Sequence, residues 1–196
     1  MPGHRIEPLE PPYEPAVAAQ LEAMMPPGVP PIGLFRTFAR NLPMAEAMGP
    51  WGGYELSKRL SLSMRQRELV IDRVTARCGC EYEWGVHLAF FGDRVGLTDD
   101  QKRSITHGSP TDSCWPNDEA CLLRAVDELH DHADLRDDTA SELAENLHTE
   151  QLLDLFMLAG WYHAISYAAN AAKVPLEEGA PRFVDVLQPC HRGAAR

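Results

Sequence analysis

Apolar side chains recur at helical spacing along most of the chain from Gly33 onward. Leu34, Phe38 and Leu42 show the period, and Pro43 begins a second, short helical segment. The alternating polar and apolar runs and the Asn-Gly turns that are typical of β-hairpins do not occur in a convincing form. The pattern therefore predicts an all-α fold.

Capping signals predict where several of these helices begin and end. Ser63 and Gln66 fit a capping box, and Gly79 is expected to end the helix that follows it. The next helix is predicted to begin at Cys80 and to run to Val95, just before a glycine. A short helix opening at Thr98 and helices at about 117–131, 138–147 and 149–173 are also predicted.

Proline content divides the chain into three parts. Residues 1–32 contain the pairs Pro11-Pro12, Pro26-Pro27 and Pro30-Pro31, which exclude long helices and indicate an arm laid over the rest of the protein. Residues 33–180 are predicted to form one helical domain, and residues 181–196 a C-terminal tail. The arm is expected to include one short helix within 16–25.

Composition narrows the class of protein. A net charge of −11 argues against nucleic acid or an anionic membrane as the partner, since both attract clustered Lys and Arg. No apolar run approaches the roughly 20 residues that span a bilayer, and the N-terminus lacks an apolar signal core. We therefore expect a cytoplasmic protein, with its five cysteines mostly as free thiols.

The candidate chemistry lies in the stretch from Cys80 to His87. In a helix, Cys80, Glu83 and His87 would share a stripe about 60° wide. A thiol at a helix N-terminus is activated by the helix dipole, although free cysteines are also commonly buried and inert. A Glu/His pair that faces outward is a solvated ion pair, whereas the same pair facing inward is an acid/base unit.

Aromatic residues favour the inward orientation. Trp84 and Phe91 lie on the same side as His87, which predicts that this face of the helix is buried. The run from His130 to His132 and the set Cys78, Cys80 and His87 lack the spacing or the fourth ligand of a metal site, so we expect neither a metal nor a cofactor. The residues predicted to line a pocket are Tyr82, Trp84, Phe91, Tyr162, Tyr167 and Asn170.

The segments 67–76, 79–87 and 96–99 resemble the carboxymuconolactone decarboxylase / alkylhydroperoxidase D (AhpD-like) superfamily. The resemblance implies a multi-helix bundle built around a helical hairpin and assembled as a homo-oligomer, either a trimer or a hexamer. In its peroxidase branch, a Glu, a C-x-x-C pair and a His act together; Glu68, Cys80 and His87 match, but Glu83 replaces the second cysteine. The usual disulfide cannot form with that replacement.

Three functional hypotheses follow. The leading one is a decarboxylase-like enzyme acting on a small carbonyl or carboxylate compound, with catalytic residues Glu68, Cys80, Glu83 and His87. In it His87 is the general acid/base, Glu83 orients it, Glu68 completes the relay and Cys80 lines the pocket. The alternatives are a one-cysteine peroxidase that uses Cys80 and a non-catalytic helical oligomerisation module.

Overall fold

A computed structural model describes residues 5–187, which form α-helices and two short 3₁₀ turns without any β-strand in that range. This confirms the all-α prediction. The nine helices are α1 (Pro15–Ala23), α2 (Gly33–Phe38), α3 (Leu42–Glu55), α4 (Met64–Arg77), α5 (Glu81–Phe91), α6 (Asp99–His107), α7 (Asn117–His132), α8 (Asp137–Asn146) and α9 (Thr149–Ala172). Within this range, no helix combines the length and apolarity needed to cross a bilayer.

Helix α4 lies at the centre of the fold and packs against α5, α7 and α9. Its apolar residues Leu69, Ile71 and Val74 are fully buried. Burial of such side chains is worth about 1.5–3 kcal/mol each relative to exposure. The same helix also buries charged residues, such as Arg73, which donates to both carboxylate oxygens of Asp127 at 2.6 Å. α4 is thus both the core helix and the main carrier of buried charge.

The predicted helix starts agree with the structure where a side chain caps the helix. Both capping boxes are formed, by Ser63 with Gln66 at the start of α4 and by Thr98 with Gln101 at the start of α6. Each satisfies backbone N–H groups that have no partner within the helix. Gly79 follows α4 with φ +60°, a conformation that glycine adopts without strain.

Helix α5 is shorter than predicted at both ends. Cys80 is its N-cap, with the non-helical angles φ −90° and ψ 75°, so the first helical residue is Glu81. At the other end the helix stops at Phe91 because Gly92 is a poor helix former. The chain then continues in turns to Gly96, whose φ of +67° lets the N–H of residue 97 donate back to the Gly92 carbonyl.

The N-terminal arm lies on the helical domain, as the proline pattern indicated. The Leu9 N–H donates to the Arg36 carbonyl, and the Gln20 side chain donates to the Ala45 carbonyl at 2.9 Å. The Arg5 N–H reaches the carbonyl of residue 172 at the end of α9. These bonds fix the arm across α2, α3 and the C-terminal end of α9.

The segment 180–187 covers α5 from the opposite side. Phe183 packs on Trp84 with ring centroids 5.1 Å apart, and its N–H donates to the Glu81 carboxylate at 2.7 Å. A Cβ atom on Gly85 would lie 2.6 Å from the Pro181 carbonyl oxygen, so only glycine permits this approach. Part of the predicted tail is therefore ordered against α5, while Cys190 lies outside the described residues.

Candidate active site

Three helices place a chain of hydrogen bonds around His87. The imidazole Nδ1 of His87, on α5, lies 2.8 Å from the Glu68 carboxylate on α4. The other ring nitrogen, Nε2, lies 3.0 Å from the hydroxyl of Tyr162 on α9. All three side chains are at least 96% buried, so these contacts are shielded from water. The arrangement links α4, α5 and α9 through one imidazole.

Glu83 provides a second carboxylate on the same helix face as His87. Its Oε1 lies 3.5 Å from His87 Nε2, across the i, i+4 spacing. Its Oε2 is buried without a hydrogen-bond partner. Buried polar oxygens are rarely left unpartnered, and an unpartnered one at a cavity is a place for a ligand to donate a hydrogen bond.

Arg67 neutralises the far end of the chain of hydrogen bonds. Its Nη2 lies 2.5 Å from Glu68 Oε1, its Nη1 donates to the Leu56 carbonyl at 3.1 Å, and its guanidinium lies over the Phe91 ring at 4.9 Å. Glu68 is therefore held between a guanidinium and an imidazole. Buried charges persist when they are paired in this way.

The surroundings of His87 favour its charged form. Burial alone would lower the pKa of His87, but the charge of Glu68 and hydrogen bonds to Glu68 and Glu83 outweigh it and raise that pKa to about 10. His87 is then an imidazolium at neutral pH, with an N–H on each nitrogen. Nδ1–H donates to Glu68, and Nε2–H faces two acceptors, the Tyr162 oxygen at 3.0 Å and Glu83 Oε1 at 3.5 Å, which leaves the Tyr162 hydrogen free to donate onward.

The surroundings of Asp72 and Tyr162 favour their neutral forms. Burial and the nearby Glu68 carboxylate raise the pKa of Asp72 well above its usual range, and its Oδ1 has no hydrogen-bond partner. Burial likewise raises the pKa of the Tyr162 phenol. Two acidic groups next to the chain of hydrogen bonds are thus shifted toward their protonated forms.

A cavity of about 440 Å³ opens onto this constellation. Glu83, His87 and Tyr162 contribute polar groups to its wall, as do Gln20 and Glu46 of α1 and α3. Phe91 also lines the cavity. Most of the remaining wall is apolar, and much of it comes from the arm and from α2 and α3, through Met24, Met25, Pro26, Ile32, Leu34, Phe35, Phe38 and Met48. A largely apolar cavity with a few convergent polar groups is the usual form of a small-molecule site.

Cys80 is separated from that cavity. Its side chain is fully buried in an apolar cluster with Leu34, Tyr82 and Ile165, and it is not among the residues lining the cavity. Burial raises the pKa of the Cys80 thiol to about 11, which opposes thiolate formation. The expected stripe fails at this residue because an N-cap does not follow helical periodicity.

Four of the residues predicted to line a pocket lie elsewhere. The Tyr82 hydroxyl donates to Glu177 and accepts from the Leu34 N–H, tying α5 to α2. Trp84 is fully buried against Phe183. Two others are on the outer side of α9: Tyr167 is 65% exposed, and the Asn170 amide donates to the Cys78 carbonyl at 2.9 Å.

Two members of the site were missed by sequence reasoning. Arg67 and Asp72 flank Glu68 on α4, and an alternation of charged and apolar residues in a helix usually indicates a solvated face. The signal that could have found them is the number of charges in a short stretch of α4. Four charged residues fall within seven positions, too many for a single exposed stripe: Arg67, Glu68, Asp72 and Arg73.

Comparison with known proteins identifies the fold. No protein-family model matches the sequence, and no curated protein matches it. Among solved structures, the apo form of the debrominase Bmp8 superposes with a TM-score of 0.73 at 15% identity, over 93% of this chain and 97% of that one. An uncharacterised peroxidase-related protein from Silicibacter sp. TM1040 superposes with a TM-score of 0.73 at 14% identity, over 93% and 98%. The chain thus has the AhpD-like all-α fold that the resemblance implied.

Proposed function

We propose that this protein is an acid/base enzyme that moves a proton on a small, largely apolar carbonyl or carboxylate compound in a lyase or isomerase type step. The observation that carries the proposal is the wall of the cavity, where the side chains of His87, Tyr162 and Glu83, the last with an unpartnered carboxylate oxygen, line one largely apolar space. The solved structural neighbours of the chain include a debrominase, which supports an enzyme of small-molecule substrates.

The side chains at the cavity have different catalytic roles because they differ in protonation state. Tyr162, supported by the His87 imidazolium, donates a hydrogen bond to the substrate oxygen on which negative charge develops. Glu83 accepts the proton from the adjacent carbon through its unpartnered Oε2 and later returns it. Glu68 and Arg67 do not line the cavity; Glu68 holds the imidazole in place and favours its charged form, and Arg67 holds Glu68 in place.

The size and polarity of the cavity define the substrate class. A volume of about 440 Å³ accommodates a compound of one or two rings. The apolar wall favours a hydrocarbon or aromatic body, and the His87 charge favours a carbonyl or carboxylate at one end. No cofactor is needed for proton transfer of this kind, which contributes about 10²–10⁴-fold to the rate.

The one-cysteine peroxidase hypothesis has weaker support. The second structural neighbour is described as peroxidase-related, but Cys80 is fully buried, does not line the cavity and has a raised pKa. A peroxidatic thiol needs access to peroxide and a stable thiolate. We therefore place the reaction at Glu83 and His87.

We also propose that the protein is a homo-oligomer. Leu153, Met157 and Tyr167 on α9 are between 53% and 65% exposed. Large apolar side chains that are exposed along one helix commonly mark a protein–protein interface. Size-exclusion chromatography with light scattering will distinguish a trimer or hexamer from the monomer that would contradict this proposal.

Deuterium exchange on a panel of candidate compounds tests the reaction class. Cyclic ketones, lactones and keto acids are each incubated with the enzyme in D₂O, and deuterium incorporation next to the carbonyl is followed by NMR. The proposal predicts enzyme-dependent incorporation that is lost in Glu83→Gln and in His87→Gln but kept in Cys80→Ala. Exchange that survives in both of the first two variants would contradict it.

A further inference from the structure

A second cluster of reactive side chains lies outside the cavity, where α4, α7 and α9 meet. Cys78 is the C-cap of α4, His130 lies in the last turn of α7, and His163 lies in the middle of α9. Cys78 Sγ is 3.9 Å from His130 Nδ1, which is 2.8 Å from His163 Nε2. All three atoms lie within 4.8 Å of one another.

A backbone hydrogen bond fixes the proton on one of these rings. His163 Nδ1 lies 2.8 Å from the Ala159 carbonyl oxygen, which only accepts, so Nδ1 carries the hydrogen. The Nε2 lone pair then points at His130, whose Nδ1–H donates to it. Histidine ligands of metal ions typically donate their second N–H to a backbone carbonyl in this way.

The spacing of the three atoms suits a small divalent ion. Zinc bonds of about 2.0–2.3 Å in tetrahedral geometry place neighbouring ligand atoms roughly 3.3–3.7 Å apart. The observed 2.8 Å and 3.9 Å lie on either side of that range, and the third pair, Cys78 with His163, lies within 4.8 Å, so side-chain adjustments of about an ångström or less would form the site. The ion would replace the hydrogen that His130 now shares with His163.

The electrostatic surroundings tolerate a cation. Arg77 is the basic group next to Cys78 and His130, but its guanidinium is paired with Asp131 at 2.5 Å and lies 3.6 Å from Asp127. The protein as a whole carries a net charge of −11. The ligand set is soft, with one sulfur and two nitrogens, which favours zinc over magnesium or calcium.

We propose that Cys78, His130 and His163 form a zinc-binding site with a fourth position open to water. Each of the three residues is partly exposed, and none lines the cavity, so the site is separate from the proposed active site. Zinc binding releases the Cys78 proton to solvent and shifts the His130 hydrogen from Nδ1 to Nε2, so that the sulfur and two ring nitrogens bond to the ion. Cys78 and His130 lie in different segments of the sequence, and only the fold brings them together with His163.

Cobalt absorption tests this site in the full-length protein. The metal-free protein, prepared by dialysis against a chelator, is titrated with Co²⁺, which gives a thiolate-to-cobalt charge-transfer band only when sulfur is a ligand. We expect one ion per chain, the band, and its loss when Zn²⁺ displaces Co²⁺. In Cys78→Ser the band should disappear, and in His163→Gln the affinity should fall about 100-fold or more.

Matched controls keep the result interpretable. Cys114→Ser removes another partly buried thiol and should leave the band unchanged. Zn²⁺ should also slow alkylation of Cys78 relative to Cys114 in the unmutated protein. This second test does not depend on whether a variant folds. The absence of a thiolate band, a band that survives in Cys78→Ser, or equal alkylation of both thiols with and without Zn²⁺ would overturn the site.

Discussion

The raised pKa of His87 makes a quantitative prediction about stability. If its pKa is 6.5 in the unfolded chain and about 10 in the folded protein, the folded state binds the proton more tightly. Its contribution is then complete below pH 6.5 and is lost as the pH rises toward 10, by about 1.4 kcal/mol for each pH unit. Between pH 7 and 9, this one group should therefore lower the free energy of unfolding by about 2–3 kcal/mol.

Urea denaturation at pH 7, 8 and 9, followed by circular dichroism, measures this effect. The unmutated protein should lose stability over that interval by about 2–3 kcal/mol more than His87→Gln. The exposed His107, replaced in His107→Gln, is the matched control and should keep the slope of the unmutated protein. Glu68→Gln removes the main group that raises the pKa of His87 and should also flatten the slope.

Three other buried groups titrate mainly outside this interval. Burial and Asp154 raise the pKa of Glu55 from 4.5 to about 7, so Glu55 lowers the free energy of unfolding as the pH rises between those values, mainly below the interval. Burial raises the pKa values of Cys80 and Cys121 from 9 to about 11, so these thiols lower the free energy of unfolding only above the interval of pH 7 to 9. Equal slopes for the unmutated protein and His87→Gln would refute a charged His87.

Three further predictions follow from the packing around the site. Gly85→Ala should displace the segment 180–187, because its Cβ would meet a carbonyl oxygen at 2.6 Å; faster proteolysis within that segment is the readout. Arg67→Met should cost about 3–5 kcal/mol in urea denaturation, since it breaks a buried ion pair and removes one of the two cations next to Glu68. Iodoacetamide should not label Cys80 in the native protein, as judged by peptide mass spectrometry, because the thiol is fully buried with a raised pKa.

Each of these has a control in the same fold. Gly160 has open space around its Cβ position, so Gly160→Ala should be neutral or stabilising by about 0.5–1 kcal/mol. Arg94 is exposed over the same Phe91 ring, and Arg94→Met should change stability by less than about 0.5 kcal/mol. Cys114 should be labelled under conditions that spare Cys80. Similar effects in a variant and its control, or labelling of Cys80 as fast as Cys114, would contradict the structural explanation.

Sequence reasoning located the helices because their signals are local. The capping boxes at Ser63 and Thr98 depend on residues three positions apart, and both are present in the structure. The C-terminal limit of α5 was less predictable. Gly92 allows the helix to end and Gly96 closes the turn, and either glycine alone is compatible with a helix end.

The candidate site was only partly accessible from the sequence. Glu83 and His87 lie one turn apart, so helical geometry alone brings them together. The contact between His87 and Tyr162 joins residues 75 positions apart, and spacing carries no information about it. Glu68 was identified through the resemblance, because its distance from His87 depends on how α4 packs against α5.

Cys80 shows the limit of arguments from periodicity. The stripe that includes Cys80, Glu83 and His87 requires all three to be helical, but Cys80 precedes the first turn of α5. Its sulfur therefore enters an apolar cluster instead of the cavity. The position of a single residue at a helix end thus decides whether its thiol reaches the cavity.

The protonation state of His87 is the central claim, and nitrogen NMR of the imidazole measures it directly. With ¹⁵N-labelled histidine, the His87 signals are assigned by their loss in His87→Gln. At pH 8 we predict that both ring nitrogens carry hydrogen and that the ring titrates near pH 10. A neutral ring at pH 8, titrating near 6.5, would contradict the account.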